Sequence, residues 1–171
     1  MSRRLFFICP TDCIETKIRG EFSGKVFFCS ALGLYFKLDF QMQKNLKDLI
    51  SENCIDQVIF VSDLNNTFYK QTLDETKKLR YTTNGLLSKS REKEPYQPIA
   101  QNVFFPNLHS LAANHVQEQK KRLLSSDFLG KYLISENIEV KGYIYQSSKD
   151  DYFSLEEIEN LGHLFNSIAS N

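Results

Sequence analysis

Apolar residues along this chain fall into two patterns: short, nearly unbroken runs, and positions that recur at helical spacing. Leu5–Cys9 and Val26–Ala31 are runs of the first kind, the second introduced by a Ser23-Gly24 turn. Such runs fit strands covered on both faces. Leu46, Leu49, Ile50 and Cys54 then recur every third or fourth position and predict an amphipathic helix over about Phe40–Asn53. Gln57–Ser62 is a third buried strand, rich in β-branched residues. Tyr69 to about Arg80 reads as a helix that is polar on most of its surface. Leu108, Leu111, Ala112, His115, Val116, Gln119 and Leu123 form another helical stripe, in which His115 reads as a hydrogen-bonded core histidine. Ile138–Tyr145 alternates in part and predicts a fourth strand. Ser154 marks a last helix, Leu155–Ala169, as its N-cap, with Glu157 closing a capping box.

Buried strands separated by helical crossovers predict an α/β fold with a central, mainly parallel sheet flanked by helices. The 171 residues, 42% of them hydrophobic, suit one domain spanning the chain. Between the elements, Thr82–Pro106 holds Asn84-Gly85, Pro95, Pro98 and Pro106 and reads as a long irregular loop.

Charge and cysteine usage narrow the function classes. Lys+Arg and Asp+Glu both number 21, which argues against nucleic acid and anionic membranes as partners. A near-neutral surface favours self-association, and a homodimer is the expected state. The apolar run at the amino end is too short for a signal-peptide core, and no stretch approaches the roughly 20 residues of a membrane helix. Cys9, Cys13, Cys29 and Cys54 lie in or beside apolar segments, the usage of reduced, partly buried thiols in a cytoplasmic protein.

Several segments taken together resemble the β-class carbonic anhydrases. They are Gly24-Lys25-Val26-Phe27-Phe28-Cys29-Ser30-Ala31-Leu32-Gly33, the strand Val58–Val61 running into Ser62-Asp63-Leu64-Asn65-Asn66, Val116 with Gln119, Ser126–Leu129, and Val140–Tyr145. The resemblance spans about Leu5 to Tyr152. It implies that family's fold, and a zinc held by Cys, His and Cys whose bound water becomes the nucleophile for carbon dioxide. On this register Asp63 and Asn66 stand at the His and Cys positions, and Thr67 replaces the following glycine. The family's Cys-x-Asp-x-Arg motif falls on Cys9-Pro10-Thr11-Asp12-Cys13. With Cys9 as ligand, Thr11 takes the Asp place and Cys13 the Arg place; shifting by one keeps Asp12 but puts Pro10 at the ligand position. The Arg-Asn before Ala-Gly is also replaced, by Ser30-Ala31. The helical arm with which family members embrace a partner is not seen before the first strand, so a dimer is expected to use a sheet edge or another surface.

The resemblance therefore implies retained architecture with a degenerate zinc site. The expected function is that of a non-catalytic binding or scaffold protein with no cofactor. Its pocket is expected around Cys9, Thr11, Asp12, Asp63 and Asn66, at the carboxyl ends of the strands, and its partner is an unidentified small ligand or protein. The alternative is a zinc-dependent lyase or hydrolase with altered ligands Cys9, Asp63 and Cys13. Lys77, Lys78, Arg80, Lys89, Arg91 and Lys93 make a basic stretch that reads first as a solvated face and second as a contact for an anionic partner. P-loops and Gly-rich dinucleotide turns are excluded, because none of the seven glycines is grouped in those patterns.

Overall fold

The computed structural model describes residues 1–82 and 107–156, with the side chains of residues 75–82 left aside. Five strands form one sheet in the order β2-β1-β3-β4-β5, where β1 is Arg3–Ile8, β2 Lys25–Ser30, β3 Gln57–Asp63, β4 Glu139–Gln146 and β5 Asp151–Ser154. The first four pair in parallel and β5 is antiparallel to β4, so the fold is α/β with a mainly parallel sheet, as the pattern predicts. β1 and β3 lie at the centre, with Leu5 on Val58 and Phe7 on Phe60. Leu5–Ile8 are buried to within 1% exposure, which accounts for their unbroken apolar run. β2 lies at the edge, and Val26–Cys29 are only half-buried, short of the two-sided cover their composition implies.

The helices are α1 (Glu15–Glu21), α2 (Phe40–Glu52), α3 (Thr67–Thr82), α4 (Leu108–Leu124) and α5 (Leu129–Ser135). Asp39 caps α2 by accepting from the Met42 amide, and Asn107 caps α4 by accepting from Ser110. α2 ends at Glu52, so Cys54 lies beyond its stripe, exposed and with φ 48°. α1, α5 and β5 are additions to the predicted set. α1 has no side-chain cap, and Ile18 is its one buried residue. The N-cap residue of α5, Phe128, makes no side-chain cap bond; Gln43 of α2 accepts through Oε1 from the Phe128 and Leu129 amides at 3.2 Å each, and Ser126 Oγ accepts from the Gly130 amide at 2.9 Å.

The sheet buries both faces. On one, Leu5, Phe7, Val58, Phe60 and Ile144 pack against α2, α3, α4 and α5, with Phe7 stacked on Phe60 at 4.8 Å between ring centres. On the other, Phe6, Ile8, Ile59, Val61 and Tyr145 pack against Ile14 and Ile18.

Ser154 closes β5, and helical residues follow at Leu155 and Glu156. The rest of the expected Leu155–Ala169 helix, with Glu157, lies outside the described residues. So do the 83–106 segment and the basic side chains Lys77, Lys78, Arg80, Lys89, Arg91 and Lys93. All four cysteines are free; Cys9 is buried and Cys29 half-buried, but Cys13 and Cys54 are exposed, departing from the uniform partial burial expected. Among the described residues no helix is long and apolar enough to cross a membrane.

Candidate functional site

The carboxyl ends of β1 and β3 lie side by side, and the turns that follow them carry the candidate residues. Past β1 the chain makes one turn of 3-10 helix, Pro10–Asp12, which presents Asp12 toward the end of β3. Past β3 it turns through Leu64 and Asn65 into α3. Asn66 Oδ1 accepts from the Phe68 amide at 2.9 Å, so Asn66 is the N-cap of α3.

Asp12 is the centre of the arrangement. Its Oδ2 accepts from the Asp63 amide at 2.9 Å and faces Ser62 Oγ at 3.5 Å, while its Oδ1 accepts from Asn66 Nδ2 at 2.5 Å. Burial pushes its pKa up to about 6 from an ordinary 3.8, an effect these hydrogen bonds only partly offset. The Asp63 carboxylate adds like-charge repulsion. Asp63 Oδ1 itself accepts from the Asn65 amide at 2.9 Å, closing the turn.

Cys9 is fully buried beside this network. Its Sγ accepts from the Gly33 amide at 3.1 Å and lies 2.9 Å from Thr11 Oγ1. Gly33 has φ 59°, a left-handed conformation that glycine adopts without strain and that brings its N–H onto the sulfur. Cys13 stands apart: it is exposed, with φ 52°, and its thiol faces the Pro10 carbonyl at 3.6 Å. The structure thus brings Asp12, Asp63 and Asn66 together, pairs Cys9 with Thr11, and leaves Cys13 outside both groups.

The donor set does not fit a zinc ion. A catalytic zinc takes three protein ligands and an open position, and among the described residues no three His, Cys, Asp or Glu side chains are placed to hold a metal. At the position where the resemblance implies the second thiolate, the Asn66 amide has its oxygen committed to Phe68 and its nitrogen to Asp12. The Cys9–Asp63–Cys13 set is not assembled either.

Three further polar residues extend the site inward. Ser62 Oγ accepts from the Tyr69 hydroxyl at 2.8 Å, and that hydroxyl lies 3.2 Å from His115 Nδ1. His115 is 4% exposed, so the helical stripe placed it in the core correctly. Burial, and secondarily the Arg122 charge, lower its pKa to about 4 from 6.5. Ser62 and Tyr69 escape sequence reasoning. One is a small polar residue closing an apolar run and the other sits on a buried helix face; only the packing of α3 and α4 over β3 shows that they meet.

No protein-family model matches the chain, and no curated protein matches it in sequence. Its architecture, by contrast, is that of the β-carbonic anhydrases. The β-carbonic anhydrase CafD of the fungus Aspergillus fumigatus aligns with a TM-score of 0.59 at 14% identity, covering 90% of this chain and 89% of that one. A structure from a pair of tetrameric β-carbonic anhydrases of Sordaria macrospora gives 0.60 at 13% identity, over 90% and 80% of the two chains. The Coccomyxa β-carbonic anhydrase gives 0.60 at 11%, over 90% and 72%. The chain has the β-carbonic anhydrase fold.

Proposed function

We propose that this chain is a pseudoenzyme on the β-carbonic anhydrase fold, which binds a small ligand or a protein partner through the pocket around Cys9, Thr11, Asp12, Asp63 and Asn66. The observation that carries this reading is the double engagement of the Asn66 amide, with Asp12 on one side and the first turn of α3 on the other. An intramolecular hydrogen bond engages the side chain at the position where the resemblance implies a metal ligand. The exposed rim of the pocket, Thr11 with the half-buried Asp12 and Asp63, leaves polar groups for a ligand to meet.

Metal analysis of protein purified without chelators tests the proposal directly. The expected result is no stoichiometric zinc and no carbon dioxide hydration that depends on Cys9. Stoichiometric zinc lost on Cys9→Ala, or hydration abolished by that substitution, would overturn this reading in favour of a metalloprotein that uses Cys9 as a ligand.

A cytoplasmic homodimer completes the proposal. The near-zero net charge, the half-buried residues of the edge strand β2 and the tetrameric state of the Sordaria proteins support self-association. Sedimentation as a monomer at micromolar concentration would remove this part and leave the pocket reading intact.

A further inference from the structure

Asp12, Ser62, Tyr69 and His115 form a path from the carboxyl end of β3 into the helical layer, with a long outer contact of 3.5 Å and inner hydrogen bonds of 2.8 and 3.2 Å. Ser62 and Tyr69 are within 1% of full burial, so bulk water does not compete for the inner links. The path has a direction that donor and acceptor inventory dictates. An ionised carboxylate only accepts, so the Ser62 hydroxyl donates to Asp12 and its oxygen receives the Tyr69 proton. Tyr69 has one O–H, already given to Ser62, and its oxygen therefore faces His115 as an acceptor. His115 must then carry its proton on Nδ1 and leave Nε2 bare.

We propose that the Asp12 carboxylate sets the tautomer of His115 through Ser62 and Tyr69, so that loss or occupation of that carboxylate in the pocket is registered at His115 Nε2 on α4. The part that concerns an occupied carboxylate rests on the pocket proposed above; the tautomer of the unoccupied protein, which the experiment below reads, does not. Asp12 acts here as a positioning residue. Hydrogen-bonded chains of this kind have two discrete directions rather than a continuum, and each link polarises the next. Without the carboxylate as terminal acceptor the chain is free to reverse: Ser62 donates to Tyr69, Tyr69 donates to Nδ1, and the imidazole proton resides on Nε2. His115 stays neutral, since one proton leaves Nδ1 and one binds Nε2, with solvent water as the carrier. Among the described residues the charged groups acting on the two ends are Asp63 at Asp12 and Arg122 at His115; neither lies in the path.

Imidazole nitrogen NMR at neutral pH reads the tautomer in the wild type, Asp12→Ala, Tyr69→Phe and the double variant. The wild type is expected to hold Nδ1–H. Asp12→Ala is expected to shift the tautomer ratio toward Nε2–H by about fivefold, the worth of one net hydrogen bond. In the Tyr69→Phe background the same Asp12 substitution should change nothing. A wild type holding Nε2–H, or an unchanged ratio in Asp12→Ala, overturns the proposal. So does a shift that survives Tyr69→Phe, since it would be acting through space. Should Asp12→Ala not fold, Ser62→Ala cuts the same path and must shift the ratio likewise; an unchanged ratio there also overturns the proposal.

Discussion

The two faces of the sheet solve the same burial problem with different chemistry. The face under α2, α3, α4 and α5 is the larger, and it encloses polar atoms: Cys9, Ser62, Tyr69 and His115 all lie within it and bond to one another or to the backbone. The face under α1 is a smaller aromatic and aliphatic layer, where Phe6, Phe22 and Phe28 meet ring to ring. Its polar atoms gather at the rim: the Tyr145 hydroxyl donates to Asp150 at 2.6 Å, and Asp150 pairs with Lys17 at 2.9 Å. The Tyr152 hydroxyl is an exception, buried with no hydrogen-bond partner among the described residues. On the larger face the hydrogen bonds among Ser62, Tyr69 and His115 link the carboxyl end of β3 to the helical layer, while Gln117 Oε1 of α4 is also buried with no partner among the described residues.

The largest effect that would break this contrast comes from the core shared by the first face. Phe60→Ala removes the ring stacked on Phe7 and should cost about 3–5 kcal/mol in denaturant unfolding. A loss below about 1 kcal/mol would mean that the central strands are not packed as described.

Next comes a pair of opposed pH dependences. Asp12 has a raised pKa, so the stability it contributes is present below pH 3.8 and lost as pH rises through about 6. His115 has a lowered pKa, so its contribution is present above pH 6.5 and lost as pH falls through about 4. The two slopes oppose each other in one window, and the wild type should be nearly flat across it. Asp12→Asn should leave stability rising with pH by about 3 kcal/mol, the contribution of His115, and His115→Gln should leave it falling by about 2 kcal/mol, after discounting for the partial exposure of Asp12. Two variants with slopes of the same sign would refute the assignment.

The smaller effects come from matched tyrosines on the two faces. Tyr69→Phe strips a hydroxyl with partners on both sides and should cost about 1–3 kcal/mol. Tyr152→Phe removes a hydroxyl that has none and should lie within about 0.5 kcal/mol of the wild type. Equal costs would erase the distinction between the faces.

The central strands were legible because burial on both sides leaves one trace, an unbroken apolar run, and Leu5–Ile8 and Val58–Val61 carry it. The left-handed glycines of the resemblance are explained in space: Gly24 has φ +103°, and a Cβ there would come within 2.3 Å of the Ser2 carbonyl oxygen. α1 and α5 were not legible, since each is seven residues long and has an N-cap residue, Ile14 or Phe128, that makes no side-chain cap bond. At the site, the spacing placed Asp63 and Asn66 after the right strand. It did not reveal that Asn66 serves Asp12 and α3 at once, or that Ser62, Tyr69 and His115 join them. Hydrogen bonds between residues 46 and 54 positions apart, as in His115–Tyr69 and Asn66–Asp12, leave no mark on local periodicity.

The borrowed cap of α5 ties its stability to a distant part of the chain. Gln43 reaches Phe128 and Leu129 across 85 and 86 positions of sequence, so those two donors find their acceptor only after a long loop has closed. A seven-residue helix is too short to persist by itself. α5 therefore draws part of its stability from α2: its Gly130 amide is met locally by Ser126, but its Phe128 and Leu129 amides depend on contact with Gln43.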